Sequence, residues 1–229
     1  ALAVGGIAVV LGSGLLAWPL ARLLQVDSKT FLPPMMFNNS GNMGLPLAVL
    51  AFGEAALPAA VVLFLVENLL HFSLGVWMLD HRARLANLWR MPMMLAALAG
   101  LAVSLASVAL WPPLLTAIRM LGDISIPLLL FTLGVRLADA TFHAWGIGLA
   151  GAVARPVLGM LIAWGAGWAL GLSAQHQALL LVFGALPPAV LNYVFAERYR
   201  QEPDKVASIV MVGNVAALLF IPVALAIAL

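Results

Sequence analysis

Apolar residues run along the chain in long stretches separated by short polar breaks. The spacing of those breaks predicts helices near 1–24, 30–52, 56–79, 92–111, 122–138, 144–170, 177–199 and 205–228. Each run is close to the roughly 20 residues an α-helix needs to cross a hydrocarbon core of about 30 Å. The pattern is that of an all-α membrane protein with about eight crossings. Its sharpest polar break, Asp80-His81-Arg82-Ala83-Arg84 through Arg90, divides the chain into three helices and five.

Composition supports this reading and removes other classes. Of 229 residues, 64% are hydrophobic and only 9% are charged, against roughly a quarter charged in an ordinary soluble domain. Such a chain has neither the charge to cover a water-soluble fold nor the length for a separate soluble domain. The net charge of +2 is dispersed, so nucleic acid is not a partner. Cysteine is absent, which excludes thiol nucleophiles, disulfides and thiolate metal sites. The chain opens at Ala1 without an initiator Met, a basic leader or a cleavage site, and the natural N-terminus is expected to be missing.

Charge also orients the chain. With the connector at 80–91 on the cytoplasmic side, Arg22, Lys29, Arg136, Arg198, Arg200 and Lys205 fall on that side too, and Arg119 alone falls outside. The C-terminus is then extracytoplasmic, in what is expected to be a bacterial inner membrane.

Shifting the sequence by 146 residues superposes the first three helices on the last three without gaps, so that Trp18 meets Trp164 and Asn68 meets Asn214. Three helices in the first copy, followed by a connector and two more helices, put the copies in opposite orientations. An inverted repeat of this kind is a frequent plan among secondary transporters.

Two of the helices are interrupted. The second reads Asn38-Asn39-Ser40-Gly41-Asn42-Met43-Gly44-Leu45-Pro46. Pro46 lacks an NH and clashes with the preceding turn, and Gly41 and Gly44 weaken the helix further, so a break is expected there. Its repeat mate runs from Gly184 through Pro187 and Pro188 to Asn192, with Asn192 at the position of Pro46. Unwound backbone at membrane depth survives only where protein buries it or a wet cavity adjoins it. Paired breaks in the two halves therefore point to a binding site. The C-terminal half of each broken helix would start at midplane with free NH groups and partial positive charge, which attract an anion. The candidate substrate residues are Asn38, Asn39, Asn42, Gly44, Pro46, Pro187, Pro188 and Asn192. Pro58, Pro92, Pro156 and Pro222 are read as packing kinks.

Few ionisable groups lie at membrane depth. Glu67 is roughly 18 Å by helical rise from the inner end of its helix, near the midplane, where charge costs at least a few kcal/mol. His71, one turn away on the same face, would share its proton or pair with it; Asn68 is adjacent. Coupling and a structural hydrogen bond are both open readings. Arg155 would neutralise Glu67, meet an anionic substrate, or tie down carbonyls of a broken helix. Glu67, Asn68, His71, Arg155 and Asn214 form the candidate set for proton or ion coupling. Asp123, Asp139 and Glu197 sit near helix ends, with Asp123 as the N-cap of the helix at 122–138.

These motifs resemble the auxin efflux carrier family, which includes bacterial dicarboxylate carriers and plant PIN-type carriers. Asn39 to Pro46 matches the family's N-x-x-x-x-G-[LI]-P pattern. Ala185-Leu186-Pro187 followed by Val194-Phe195-Ala196-Glu197-Arg198-Tyr199 looks like its A-L-P…V-F-A-[KE]-x-Y stretch. The resemblance implies ten helices in two inverted sets of five, with broken helices crossing in each half, as in bile-acid symporters. The eight helices here would be the third to tenth, the first two being absent. PIN-type members carry proline where this chain has Asn192, so the second crossover is instead assigned to Pro187 and Pro188.

The resemblance further implies an elevator-type secondary carrier of a small organic anion, such as indole acetate, malate or malonate, and a homodimer. Residues 1–79 and 144–229 would form the transport unit, 80–91 a cytoplasmic connector and 92–143 the scaffold helices. Its partners would be a carboxylate, the lipid bilayer and protons or sodium as coupling ion, with no cofactor and no metal. The nearest alternative is a sodium-coupled bile-acid-type symporter, followed by a passive anion channel. An intramembrane hydrolase is a remote alternative, because the chain has no H-E-x-x-H helix, no pair of mid-membrane aspartates and no Ser with a convincing His partner.

Overall fold

The structure, a computed structural model, describes residues 1–81, 92–138 and 144–229. Most of the basic connector, including Arg82, Arg84 and Arg90, lies outside the described residues, as does Asp139. The fold is all-α. Its helices are α1 (Leu2–Leu23), α2 (Ser28–Met36), α3 (Leu45–Phe52), α4 (Leu57–Leu70), α5 (Val76–Leu79), α6 (Pro92–Leu105), α7 (Pro112–Ala138), α8 (Trp145–Ala169), α9 (Ala174–Ala185), α10 (Leu191–Arg198) and α11 (Pro203–Ala228). Among the described residues, four unbroken stretches are long and apolar enough to cross a membrane: α1, Glu54–Leu79, α8 and α11. The pairs α2–α3 and α9–α10 are the two broken helices.

The repeat is visible in where helices begin. Ser28, Leu45 and Leu57 open α2, α3 and α4, and Ala174, Leu191 and Pro203 open α9, α10 and α11 at the same spacing. The N-caps match as well. Asp27 accepts from the Lys29 NH at 2.8 Å, and its repeat mate Ser173 accepts from the His176 NH at 3.4 Å.

Two expectations are corrected. Asp123 does not cap a helix, because α7 begins at Pro112 and carries Asp123 well inside it. Pro112 and Pro113 fill a first turn that needs no NH donors, and the lone Gly122 costs a helix only about 1 kcal/mol. The preceding helix is shorter than expected: α6 ends at Leu105, and Ser107 takes a left-handed φ of 51° just beyond it.

The packing centres on α8, which contacts α1, α9 and α11. Its buried face carries Gly148, Gly151, Ala152, Gly159, Ala163 and Gly167, and small residues let helix backbones approach closely where lipid supplies no hydrophobic drive. A second core of Val9, Leu63, Leu179, Leu180 and Phe183 joins α1, α4 and α9. Leu15, Trp168 and Leu218 point outward and are highly exposed, as lipid-facing side chains are. At one end, Trp18 lies under the Arg22 guanidinium at 3.8 Å, an interfacial cation–π pair.

The loops after α1 and α10 meet at that same end. Thr30 donates to Glu202 Oε2 at 2.5 Å, and Gln201 donates to the Thr30 hydroxyl at 3.0 Å. Arg200 lies in the second of these loops, and Arg22, Lys29, Arg198 and Lys205 lie in the helix turns that flank the two.

Candidate substrate site at the crossing of two broken helices

The first broken helix does not part at Pro46, as its sequence suggested, but earlier. The backbone of α2 ends at Met36 and becomes extended at Phe37, and helix resumes as a π-turn, Ser40–Gly44, that runs into α3. In that turn the Gly44 NH reaches the Asn39 carbonyl and the Leu45 NH reaches Ser40. The widened turn absorbs the register offset that a proline without an NH imposes, and Pro46 then sits in the first turn of α3. In the second broken helix the chain is extended at Leu186 and passes through Pro187 and Pro188 before α10 starts. Those two prolines place the crossing there.

The breaks satisfy each other. Their backbones pair antiparallel at Asn38 and Pro188. The Asn39 NH donates to the Pro187 carbonyl at 2.8 Å, and the Ala189 NH to the Phe37 carbonyl at 3.0 Å. Side-chain amides supply what the backbone lacks. Asn38 Nδ2 donates to the Phe183 carbonyl at 2.8 Å, Asn192 Nδ2 to Phe37 and Ala189 at 3.0 Å each, and Asn214 Nδ2 to Pro188 at 3.1 Å. Asn39 Nδ2 reaches Asn214 Oδ1 at 3.2 Å. An unpaired backbone group in lipid costs several kcal/mol, so these amides are what makes the breaks tolerable.

A cavity of about 300 Å³ opens beside the crossing. One wall is the first break, with Asn38, Asn39, Ser40, Gly41 and Asn42; the second is α4 and the π-turn after it, with Phe64, Glu67, Asn68, His71 and Phe72; Ala189, Val190 and Leu191 close the third. Among the described residues its lining carries no Lys or Arg. Ser40, Gly41 and Asn42 lie in the first turn after the break, where NH groups have no partner within the helix.

Glu67 is nearly fully buried. Its Oε2 accepts from Ser40 Oγ at 2.7 Å and from Asn68 Nδ2 at 3.2 Å, while Oε1 has no hydrogen-bond partner and lies 3.6 Å from His71 Nδ1. The His71 ring stacks on Phe37 with centroids 4.2 Å apart and meets the edge of Phe195 at 5.2 Å. His71 opens a second π-turn, His71–Gly75. A Cβ at Gly75 would come within 2.8 Å of the Phe37 ring, so this glycine is what admits Phe37 to the stack.

Other candidates fall outside the cavity. Arg155 is fully buried in α8 and donates through one Nη to the Gly184 carbonyl at 3.0 Å, the carbonyl freed where α9 ends. Its remaining nitrogens, Nε and Nη2, have no partner. Gly44 and Pro46 pack behind the cavity, where a Cβ on Gly44 would meet Leu186 at 2.9 Å. Pro187, Pro188, Asn192 and Asn214 hold the crossing together rather than line the space. Two contributors escaped sequence reading: Phe37, which bears no polar side chain, and Ser40, a hydroxyl among amides whose partner is far along the chain.

Residues 82–225 match the sequence model of a family described as membrane transport protein. The chain belongs to this family. It is the auxin-efflux-carrier type of membrane transporter that the two motifs resembled, so the protein is an integral membrane transporter and not an enzyme. A comparison with curated proteins found no match for the chain. The family match spans the second broken helix and most of α11, and stops short of the first break.

Proposed function

We propose that this transporter is a secondary carrier of a small carboxylate, held in the cavity beside the crossing of its broken helices. The observation that supports this most directly is the cavity itself: side-chain amides and a helix first turn converge on it, and both breaks border it. Oriented NH dipoles in a water-poor site hold an anion without a positively charged side chain. With no Lys or Arg among the described lining residues, a single carboxylate with an apolar body fits better than a dianion, and Phe64, Phe72, Leu45 and Leu191 offer that body its apolar surface.

Movement follows from the mutual hydrogen bonding of the breaks. The two broken helices cannot separate without unpairing backbone groups, so residues 1–79 and 144–229 would move as one transport unit against 92–143. Such motion is alternating access of the elevator type. The basic loops after α1 and α10, which meet at one end, would face the cytoplasm.

The test is counterflow in proteoliposomes, after a thermal-shift screen of monocarboxylates and dicarboxylates including indole acetate and malonate. Saturable, trans-stimulated uptake marks a carrier, whereas non-saturable flux would indicate a channel. Asn42→Ala should abolish uptake and leave a monodisperse, folded protein. Unaltered transport by that variant would remove the cavity from the mechanism.

A further inference from the structure

A carboxylate in a site meant for an anion is electrostatically out of place, and Glu67 is such a group. It lines the substrate cavity and also a second, much smaller pocket of about 10 Å³ between α1, α4 and α9, which Asn38 lines as well. Its free Oε1, the unpaired Oδ1 of Asn38 and the unpaired Nε2 of His71 are all buried. Across the crossing, Asn192 also carries a buried Oδ1 with no hydrogen-bond partner. Ser40, Glu67 and His71 therefore form a line of polar groups from the first broken helix into the turn after α4, with a carboxylate and an imidazole at its end.

We propose that the Glu67–His71 pair carries one exchangeable proton that binds together with the substrate anion, so that transport is proton-coupled. The 3.6 Å between Oε1 and Nδ1 is just beyond hydrogen-bond reach, and a proton held between the two atoms would close it. With that proton the pair is neutral overall, as imidazolium–carboxylate or imidazole–carboxylic acid; without it the cavity presents a net negative charge to an incoming anion. Ligand geometry favours a proton over sodium. Ser40 and Asn68 approach Glu67 as hydrogen-bond donors and His71 approaches through nitrogen, whereas a hard cation needs a shell of oxygens.

Among the described residues few other charges face the pair; α10, which meets the His71 ring through Phe195, carries Glu197 and Arg198 exposed in its last turn. Of the elements packed against α4, α1 carries only Arg22 at its far end, α3 and the Ser40–Gly44 turn carry none, and α9 carries only His176 near its start. Glu54 stands at the outer end of the same span. α8 carries Arg155, which is bound through Nη1 to the Gly184 carbonyl.

The proposal rests on the carrier reading, and its test separates the two. In proteoliposomes containing a trapped pH dye, uptake of whichever probe, indole acetate or malonate, shows counterflow should carry protons inward in step with the anion. The apparent affinity should fall about tenfold per pH unit once the pair loses its proton. In Glu67→Gln the ratio of proton to anion flux should fall to zero and the pH slope should vanish, whatever the residual rate. A measurement independent of transport covers an inactive variant: pH-difference infrared spectra should show the carbonyl stretch of a buried carboxylic acid or an imidazolium band in the wild type, lost in Glu67→Gln and His71→Gln respectively. Counterflow without proton movement, or sodium-driven uptake, would overturn the proton site and leave the carrier standing. Absence of counterflow for every carboxylate would overturn the carrier, and the infrared titration would still decide whether the pair exchanges a proton.

Discussion

The two breaks occupy equivalent places in the repeat and do different work. The first, Phe37–Asn39 with its π-turn, faces open space and spends its polar side chains on a cavity and on Glu67. The second, Leu186–Val190, is closed from behind: Arg155 takes the Gly184 carbonyl, Asn214 takes the Pro188 carbonyl, and a Cβ on Gly213 would lie 2.7 Å from the Pro188 ring. The position that is Glu67 in the first copy is Gly213 in the second. Of the two breaks, the first supplies most of the polar cavity wall and the second is chiefly the brace of the crossing.

Removing the brace should produce the largest effect. Arg155→Ala strips the Gly184 carbonyl of its partner and empties a fully buried site, which should lower stability by about 3 kcal/mol or more. Fluorescence-detected size-exclusion after heating would register this as a lower melting temperature. A variant as stable as the wild type would mean that the second break closes without Arg155.

The repeat-related asparagines give a finer comparison. Asn214 serves Pro188, Val210 and Asn39, whereas Asn68 serves Phe64 of its own helix and Glu67. Asn214→Ala should therefore cost about 2 kcal/mol and Asn68→Ala about 1 kcal/mol or less, with the larger change in pH response from Asn68→Ala. Equal losses of stability, measured side by side by the same heating assay, would erase the distinction between wall and brace.

The smallest effect belongs to the tether between the copies at their shared end. Lys205 and the Thr30 hydroxyl, both hydrogen-bonded to Glu202, hold that carboxyl below its ordinary 4.5. A depressed carboxylate stabilises the fold above its unfolded value and loses that contribution as pH falls through its lower folded value. Thr30→Val should cost about 0.5–1 kcal/mol at neutral pH. The gap between variant and wild type should narrow on acidification below 4.5; a constant gap across pH would detach Glu202 from the tether.

Much of the fold was legible in the sequence because lipid forces it to be. Runs of apolar residues announced the spans, and an unbroken offset placed α2, α3 and α4 on α9, α10 and α11. Proline announced that helices break without saying where, since backbone can slip into a π-turn and carry Pro46 onward into α3. The helix at α7 was misjudged because a single glycine and an aspartate look like a boundary when no neighbour is visible. Within the site, asparagines and Glu67 stood out by being polar at membrane depth. The partner of Ser40, the stack of Phe37 on His71 and the Gly184 carbonyl under Arg155 are long-range contacts that no local pattern encodes.

The antiparallel pairing of Asn38 with Pro188 bears on what each half could do alone. A single copy of the repeat would place an extended strand-like segment in the bilayer with its NH and carbonyl groups unmet. Two separate half-length chains inserted in opposite senses would cure that defect by pairing with each other. The crossing ties the two halves into one unit, so a split of the gene between the halves should yield fragments that are stable only when made together.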